Sequence, residues 1–335
     1  MNIKRKIFAV AVILVACLPV TAQNVAKEKF IFTPQWTAHA QFAGYYVAQE
    51  KGFYKAAGLD VDIVHPSVSQ TAMNRLKNRE SHATTPQLCQ AMEITDNGIP
   101  LVNILQTSMI PRVFPPFPDR KDIDLYASMT PAKEVGGDLY DYFVQDERLY
   151  FCVGDVSGKG IPASMFMAIT CNLFRMIAQQ NRSPWEIATQ MNSFLTRDNE
   201  QSMFVTMFIG MIDLRKGILE FCNCGHNAPI LDGKLLEVKD TNQPLGLWEC
   251  KAFKGEVIED IRDKQLLIYT DGLNEAENMQ QERLGDELLL QLMADTANQS
   301  SEQIINKLKA AVAKHRNGAE PNDDLTLLCL SIKKL

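Results

Sequence analysis

Two different rhythms of apolar and polar positions divide the chain. From Lys29 to about Ser108 short apolar runs alternate with segments whose apolar residues recur every three to four positions: KFIFTPQW, HAQFAGYYVAQEKGFYKAAG, LDVDIVH, TAMNRLKNRE, HATTP, LCQAMEITDNG and PLVNILQ. Strand then helix, repeated, predicts a parallel sheet with helices on its faces. Roughly 80 residues is short for a ligand-binding α/β domain, so this segment reads as part of a lobe.

The stretch QTSMIPRVFPPFPDR shifts the composition to a proline-rich connector, placed at residues 109–122. A second rhythm starts at Ile123. Strands IDLYASMTP, DLYDYFV and LYFCVGD come first, then two long helices to about Asp198. Strands FVTMFIGMIDL, ILEFCNCG, AFKGEVIE and KQLLIYT follow, then helices RLGDELLLQLMADTA and SEQIINKLKAAVAKHR and a closing strand LTLLCLSIK. Many strands with paired helix blocks predict an α+β sandwich over residues 123–335.

The N-terminus has a rhythm of its own. Lys4, Arg5 and Lys6 precede an apolar run from Ile7 to Val20, and Val20-Thr21-Ala22 forms a small-residue cleavage pattern, so residues 1–23 read as an export signal. Leu14-Val15-Ala16-Cys17 resembles a lipobox, and a cleaved signal, an uncleaved anchor and a lipidated Cys17 all remain open. Beyond residue 23 no run of 18 apolar residues occurs, so any membrane attachment rests on this segment.

Composition narrows the picture little. The net charge is −6 with no long basic run, which leaves no electrostatic footprint for nucleic acid. Of eight cysteines, Cys152, Cys171, Cys222, Cys224, Cys250 and Cys329 lie beyond residue 150 without the spacing of a disulfide framework, which fits a reducing compartment. Cys222 and Cys224 have no second pair at zinc-ligand spacing.

The candidate chemistry is acidic. A two-residue turn at Asp146-Glu147 puts Tyr140 opposite Val153, Tyr142 opposite Phe151, and Asp138 directly opposite Asp155. Opposed like charges destabilise a ladder, and a divalent cation between them removes the conflict. Asp271 ends another apolar strand before a glycine, and Asp323 and Asp324 immediately precede a third. Oxygen-only donors select hard ions such as magnesium or manganese. The glycines around Lys159 do not form a nucleotide loop: Gly154 to Gly158 is one residue short, and Gly160 stands where the hydroxyl should be.

Seven motifs carry a resemblance: PAKEVGGDLYDYF, GDVSGKGIPASMFMA, MFVTMFIGMID, CGHNAPIL, QPLGL, YTDGLNEAEN and DDLTLL. In this order they resemble the SpoIIE-like branch of the protein phosphatase 2C (PPM) family of serine/threonine phosphatases, from about Met109 to Leu335. The resemblance implies an αββα sandwich holding two Mn2+ or Mg2+ ions. It implies Asp138, Asp155, the Val156 carbonyl, Asp271 and Asp323 as metal ligands, with Asp155 bridging and Asp324 as the alternative to Asp323. Asp138 and Asp155 are the residues it makes catalytic. Lys159 either meets the substrate phosphate or is solvated. His226 is expected to be structural, capping its turn with Asn227, and the residue that protonates the leaving group is unassigned because Val156-Ser157 stands where eukaryotic relatives carry a histidine. The implied reaction is hydrolysis of phosphoserine or phosphothreonine by a metal-activated water, on a signalling protein such as an anti-sigma-factor antagonist.

Upstream, TPQWTAHAQFAGYYVAQEKGFYKAAGLDVDIV resembles the opening of periplasmic substrate-binding proteins of the thiamine-pyrimidine-precursor type. That likeness covers a partial lobe at residues 24–108 and implies Trp36, His39, Phe42 and Tyr45 near a small-molecule ligand in the parent sensor. Phe42, Tyr45 and Tyr46 equally form the apolar face of an amphipathic helix. The rival function is a solute-binding sensor with an inactive phosphatase-like half. An export signal and a phosphatase for an intracellular signalling protein disagree about location, and the chain is expected to be an internally deleted or fused descendant of a transmembrane sensor, joined near residues 106–110.

Overall fold

The computed structural model describes residues 29–35, 43–67, 69–85, 110–132, 136–197, 199, 201–240, 242–294, 296 and 299–334. The export signal, Cys17, Trp36, His39, Phe42 and the expected elements at LCQAMEITDNG and PLVNILQ lie outside these residues. The chain divides into two units, residues 1–101 and 102–335.

The first unit has three parallel strands, β1 (Phe30–Thr33), β2 (Val61–Ile63) and β3 (Ala83–Thr84), in the order β2-β1-β3. The expected long helix is two: α1 (Ala43–Glu50) and α2 (Phe53–Ala56). Gly52 lies between them at φ 69°, a left-handed conformation that ends a helix and that glycine adopts without a Cβ penalty. Helix α3 (Ala72–Lys77) starts at Thr71, whose side chain accepts from Asn74 N–H at 3.2 Å. A small core of Phe32, Ala48, Tyr54 and Val61 holds the unit together, and the Tyr45 ring packs 4.7 Å from that of Phe32.

The second unit stacks two five-stranded sheets. One contains β4 (Ile123–Thr130), β9 (Ile230–Leu231), β10 (Lys234–Leu235), β12 (Gln265–Tyr269) and β13 (Leu325–Ile332), in the order β10-β9-β12-β13-β4. The other contains β5 (Leu139–Gln145), β6 (Arg148–Val156), β7 (Val205–Asp213), β8 (Ile218–Cys224) and β11 (Glu256–Ile258), in the order β11-β8-β7-β6-β5. Every pairing in both is antiparallel.

Alternation along the strands builds the layers. Leu266, Ile268, Leu328 and Leu330 join the core that also holds Leu149, Phe151 and Val153, whereas Leu267, Leu327 and Cys329 join a second core with α6 (Asp286–Ala294) and α7 (Ser301–Arg316). Side chains one position apart point to opposite faces, so one sheet serves both cores. On the other sheet Phe143 packs against Phe174 of α4 (Ile161–Ala178), which runs beside α5 (Pro184–Leu195). Helices, sheet, sheet, helices: the αββα sandwich expected from the sequence is present.

The β5–β6 register also matches expectation. Leu139 pairs with Gly154, Tyr140 with Val153 and Tyr142 with Phe151. Asp146 (φ 50°) and Glu147 (φ 60°) are both left-handed, the type I′ turn that joins two strands through two residues.

The proline-rich stretch is packed rather than free. Ile110 is buried in the sandwich core, with Phe114 and Phe117 against it, and the Tyr140 hydroxyl donates to the Pro111 carbonyl at 2.5 Å. Arg120 donates to both Asp122 and Glu147. Among the described residues no helix is long and apolar enough to cross a membrane.

Candidate active site

The acids converge at one end of the space between the sheets. Asp138 lies immediately before β5 and is buried, and Asp155 is the penultimate residue of β6. Both continue the inward-facing set of Tyr140 and Tyr142 on β5 and of Phe151 and Val153 on β6. From the other sheet, Thr270 just past β12 donates its hydroxyl to Asp138 Oδ2 at 2.7 Å. The same Thr270 oxygen accepts from Thr326 N–H of β13 at 3.0 Å, which ties the strand ends that carry Asp271 and Asp324 to the first carboxylate.

Burial without a full set of positive partners leaves these carboxylates strained. Asp138 is held well above the usual carboxylate range by desolvation, then by the charges of Asp155 and Asp324. Asp155 is pushed up to about 7 by desolvation and by Asp271 and Asp323. Asp271 is raised by desolvation, Asp323 and Glu275.

The two acids before β13 do different work. Asp324 accepts Ala132 N–H through Oδ1 and Gly137 N–H through Oδ2, both at 2.8 Å, and so ties Ala132, just past β4, to Gly137, just before Asp138. A Cβ on Gly136 would stand 2.0 Å from Asp324 Oδ2, and one on Gly272 would stand 1.9 Å from the Asp324 carbonyl oxygen. Both glycines are required by close approach. Asp323 and Asp324 both line a cleft with Asp155, Lys159, Gly136 and Gly137, and Asp323 Oδ2 accepts from Lys159 Nζ at 2.9 Å. The two acids thus differ in their partners, backbone N–H groups of Ala132 and Gly137 for Asp324 and an ammonium for Asp323, while sharing the cleft.

Val156 bends its chain into the same region, its carbonyl 3.0 Å from where a Gly137 Cβ would lie. Ser157 anchors the turn that follows, donating its N–H to Phe204 O at 2.8 Å and accepting Phe204 N–H at 3.0 Å. Lys159, expected to meet phosphate or solvent, is on Asp323 and on the Asn322 carbonyl at 2.8 Å.

His226 lies behind the cleft. It is buried, Nδ1 is 3.1 Å from the Thr206 hydroxyl, and burial lowers its pKa to about 4. The side chain that locks its turn is Asn223, which accepts His226 N–H at 2.7 Å and donates to its carbonyl at 3.0 Å. Asn227, expected in that part, has been displaced from it by a residue still on the strand and better placed to reach back.

A hard cation fits this donor set. The side chains are carboxylates, with a backbone carbonyl beside them, and their charges are under-compensated in a buried setting. Among the described residues no three acid, histidine or cysteine side chains already close around a single point.

An αββα sandwich with aspartates at one end of its inter-sheet space defines the protein phosphatase 2C class of fold. The family model described as Stage II sporulation protein E (SpoIIE) matches residues 145–333, and the chain belongs to this family. An NMT1/THI5-like family model matches residues 39–112, which agrees with the likeness to a substrate-binding lobe in the first unit. Protein IcfG of Synechocystis is 26% identical over 274 residues, covering 72% of this chain and 43% of IcfG. The phosphoserine phosphatase RsbU of Bacillus subtilis is 23% identical over 237 residues, covering 69% of this chain and 68% of RsbU. The chain thus spans less than half of the first relative and about two thirds of the second. The SiaA-PP2C domain of Pseudomonas aeruginosa shares the fold at a TM-score of 0.60 and 18% identity, over 72% of this chain and 99% of that domain.

Proposed function

We propose that residues 123–335 form a metal-dependent serine/threonine phosphatase that removes phosphate from a signalling protein. The observation that carries this is the convergence of Asp138, Asp155, Asp271 and Asp323 from both sheets on one end of the sandwich. A relative named as a phosphoserine phosphatase supports the substrate class, and an anti-sigma-factor antagonist or similar small domain is the phosphoprotein we propose.

Asp138, Asp155, Asp271, Asp323 and the Val156 carbonyl would hold two manganese or magnesium ions. When bound, such a pair supplies a water made nucleophilic at neutral pH and stabilises the charge gained in in-line attack at phosphorus. The chain's own residues do the positioning. Thr270 fixes one oxygen of Asp138, Asp324 holds Ala132 and Gly137 ahead of it, and Gly136 and Gly137 let the backbone approach the carboxylates. No histidine lines the cleft among the described residues, so general-acid help from the side chain at 226 is not part of this scheme.

The export signal at residues 1–23 and a membrane or lipid anchor there belong to the same proposal, as does the division at residues 109–122. The test is hydrolysis of a phosphoserine protein by the purified chain with and without Mn2+. Turnover that persists in chelator and in Asp155→Asn would refute it.

A further inference from the structure

Lys159 occupies a seat whose chemistry belongs to a metal ion. Its ammonium is held by a carboxylate oxygen of Asp323 and the backbone carbonyl of Asn322, at 2.9 and 2.8 Å. A carboxylate plus a carbonyl is a donor pair that hard divalent cations also use. The surrounding acids, Asp155, Asp271 and Asp324, make the seat attractive to any cation.

The local backbone delivers the side chain there. Gly158 (φ 85°) and Gly160 (φ 77°) flank Lys159 in the left-handed half of conformational space, and a Cβ on either would meet nothing within 4 Å. Glycine is needed at these points for chain direction, not for room. The resulting turn leads from the end of β6 into α4 and carries Lys159 across to the loop ahead of β13.

We propose that Lys159 is a built-in competitor for the cation position at Asp323, its ammonium and the metal ion being alternative occupants of one carboxylate. This rests on the metal-dependent reading above and assigns a role within it. Lys159 neutralises part of the acidic cluster before loading, and a metal ion must displace it to reach Asp323. The displaced ammonium remains in the cleft that it lines together with Asp155, available to the anionic oxygens of a phosphorylated substrate. The pair is easily opened: the Lys159 side chain is 54% exposed and that of Asp323 36%, and ion pairs this open shift equilibria only a few-fold.

The experiment is calorimetric titration of Mn2+ into the full chain as wild type, Lys159→Met, Asp323→Asn and the double variant, with circular dichroism to show that each is folded. Lys159→Met should tighten the weaker Mn2+ about fivefold and leave the tighter one unchanged. In the Asp323→Asn background the same substitution should change nothing, because the contested carboxylate is gone. Unchanged affinities in Lys159→Met, or equal tightening with and without Asp323, would overturn competition in favour of no effect or a general field effect. Lys159→Gln, which keeps a polar side chain, should behave as Lys159→Met. Wild-type protein that takes up no more Mn2+ than Asp138→Asn would overturn the metal reading itself, and this proposal with it, a result distinct from the others.

Discussion

Thr270 and Asp138 belong to opposite sheets and meet at 2.7 Å, hydroxyl to carboxylate, at the end of the sandwich where the acids gather. One hydrogen bond thereby sets the orientation of a buried carboxylate and registers the two sheets against each other. Thr270→Val keeps the shape and removes the donor. The expected result is about 1 to 2 kcal/mol lower stability and at least tenfold weaker Mn2+ binding, read by urea denaturation and calorimetry. Unaltered metal affinity would show that Asp138 is oriented by other means.

Asp155→Asn should reduce Mn2+-dependent dephosphorylation by at least about a thousandfold while the fold persists, since it removes a ligand and no core side chain. Without metal the variant should melt at an equal or higher temperature than wild type, because it relieves the repulsion with Asp138. A large drop in melting temperature would mean that Asp155 is structural.

The side chain of Asp141 on β5 is almost fully buried and is met by Arg175 of α4, whose Nε donates to Oδ2 at 2.8 Å and whose Nη2 donates to Oδ1. Burial still holds the Asp141 pKa above its usual value. Arg175→Met should cost about 2 kcal/mol, short of the fully buried case because the guanidinium is partly in solvent. Adding Asp141→Asn should recover most of that loss. Chemical denaturation of the single and double variants measures both.

His226 gives a pH signature. Its folded pKa, about 4, lies below the unfolded value of 6.5, so between these limits the unfolded chain binds more protons. Its contribution is therefore neutral above pH 6.5 and grows unfavourable as pH falls toward 4, reaching about 3 kcal/mol. His226→Gln should flatten the loss of stability across that window, and equal slopes for both proteins would contradict the assignment.

A chain starting at residue 109 should fold and retain activity, whereas one starting at 123 loses Ile110, Phe114, Phe117 and the Arg120 clamp. Burying three such side chains is worth about 5 kcal/mol, so the shorter chain should unfold at much lower urea. Equal midpoints would show that the proline-rich stretch is dispensable.

Much of the sandwich was legible because its signals are local. The Asp146-Glu147 turn fixes the β5–β6 register within two residues, and Ser300 with Gln303 forms the capping box that starts α7. The β9–β10 hairpin went unread although Asp232-Gly233 is a turn signal, because strands of two residues have no alternation to reveal them. The break at Gly52 was hidden by helical periodicity on both sides of it. At the site, spacing found the acids, but nothing local distinguishes Asp323 from Asp324. Their different tasks depend on Ala132, Gly137 and Lys159, more than 160 residues away in the chain. The lock on His226 was missed because both Asn223 and Asn227 are within reach in sequence, and only the strand geometry chooses.

Gly136 and Gly272 leave no room for even a methyl group against Asp324. In a library of all single substitutions under selection for activity, these two positions should return glycine alone, as should Gly160, whose φ of 77° and ψ of −151° only glycine adopts, while Gly158, which borders open space, should admit asparagine or aspartate at some cost. Drift can recolour the helices of this sandwich freely, but it cannot pass through the pinch around Asp324, so that triad is the most durable fingerprint by which distant descendants of the chain could be recognised.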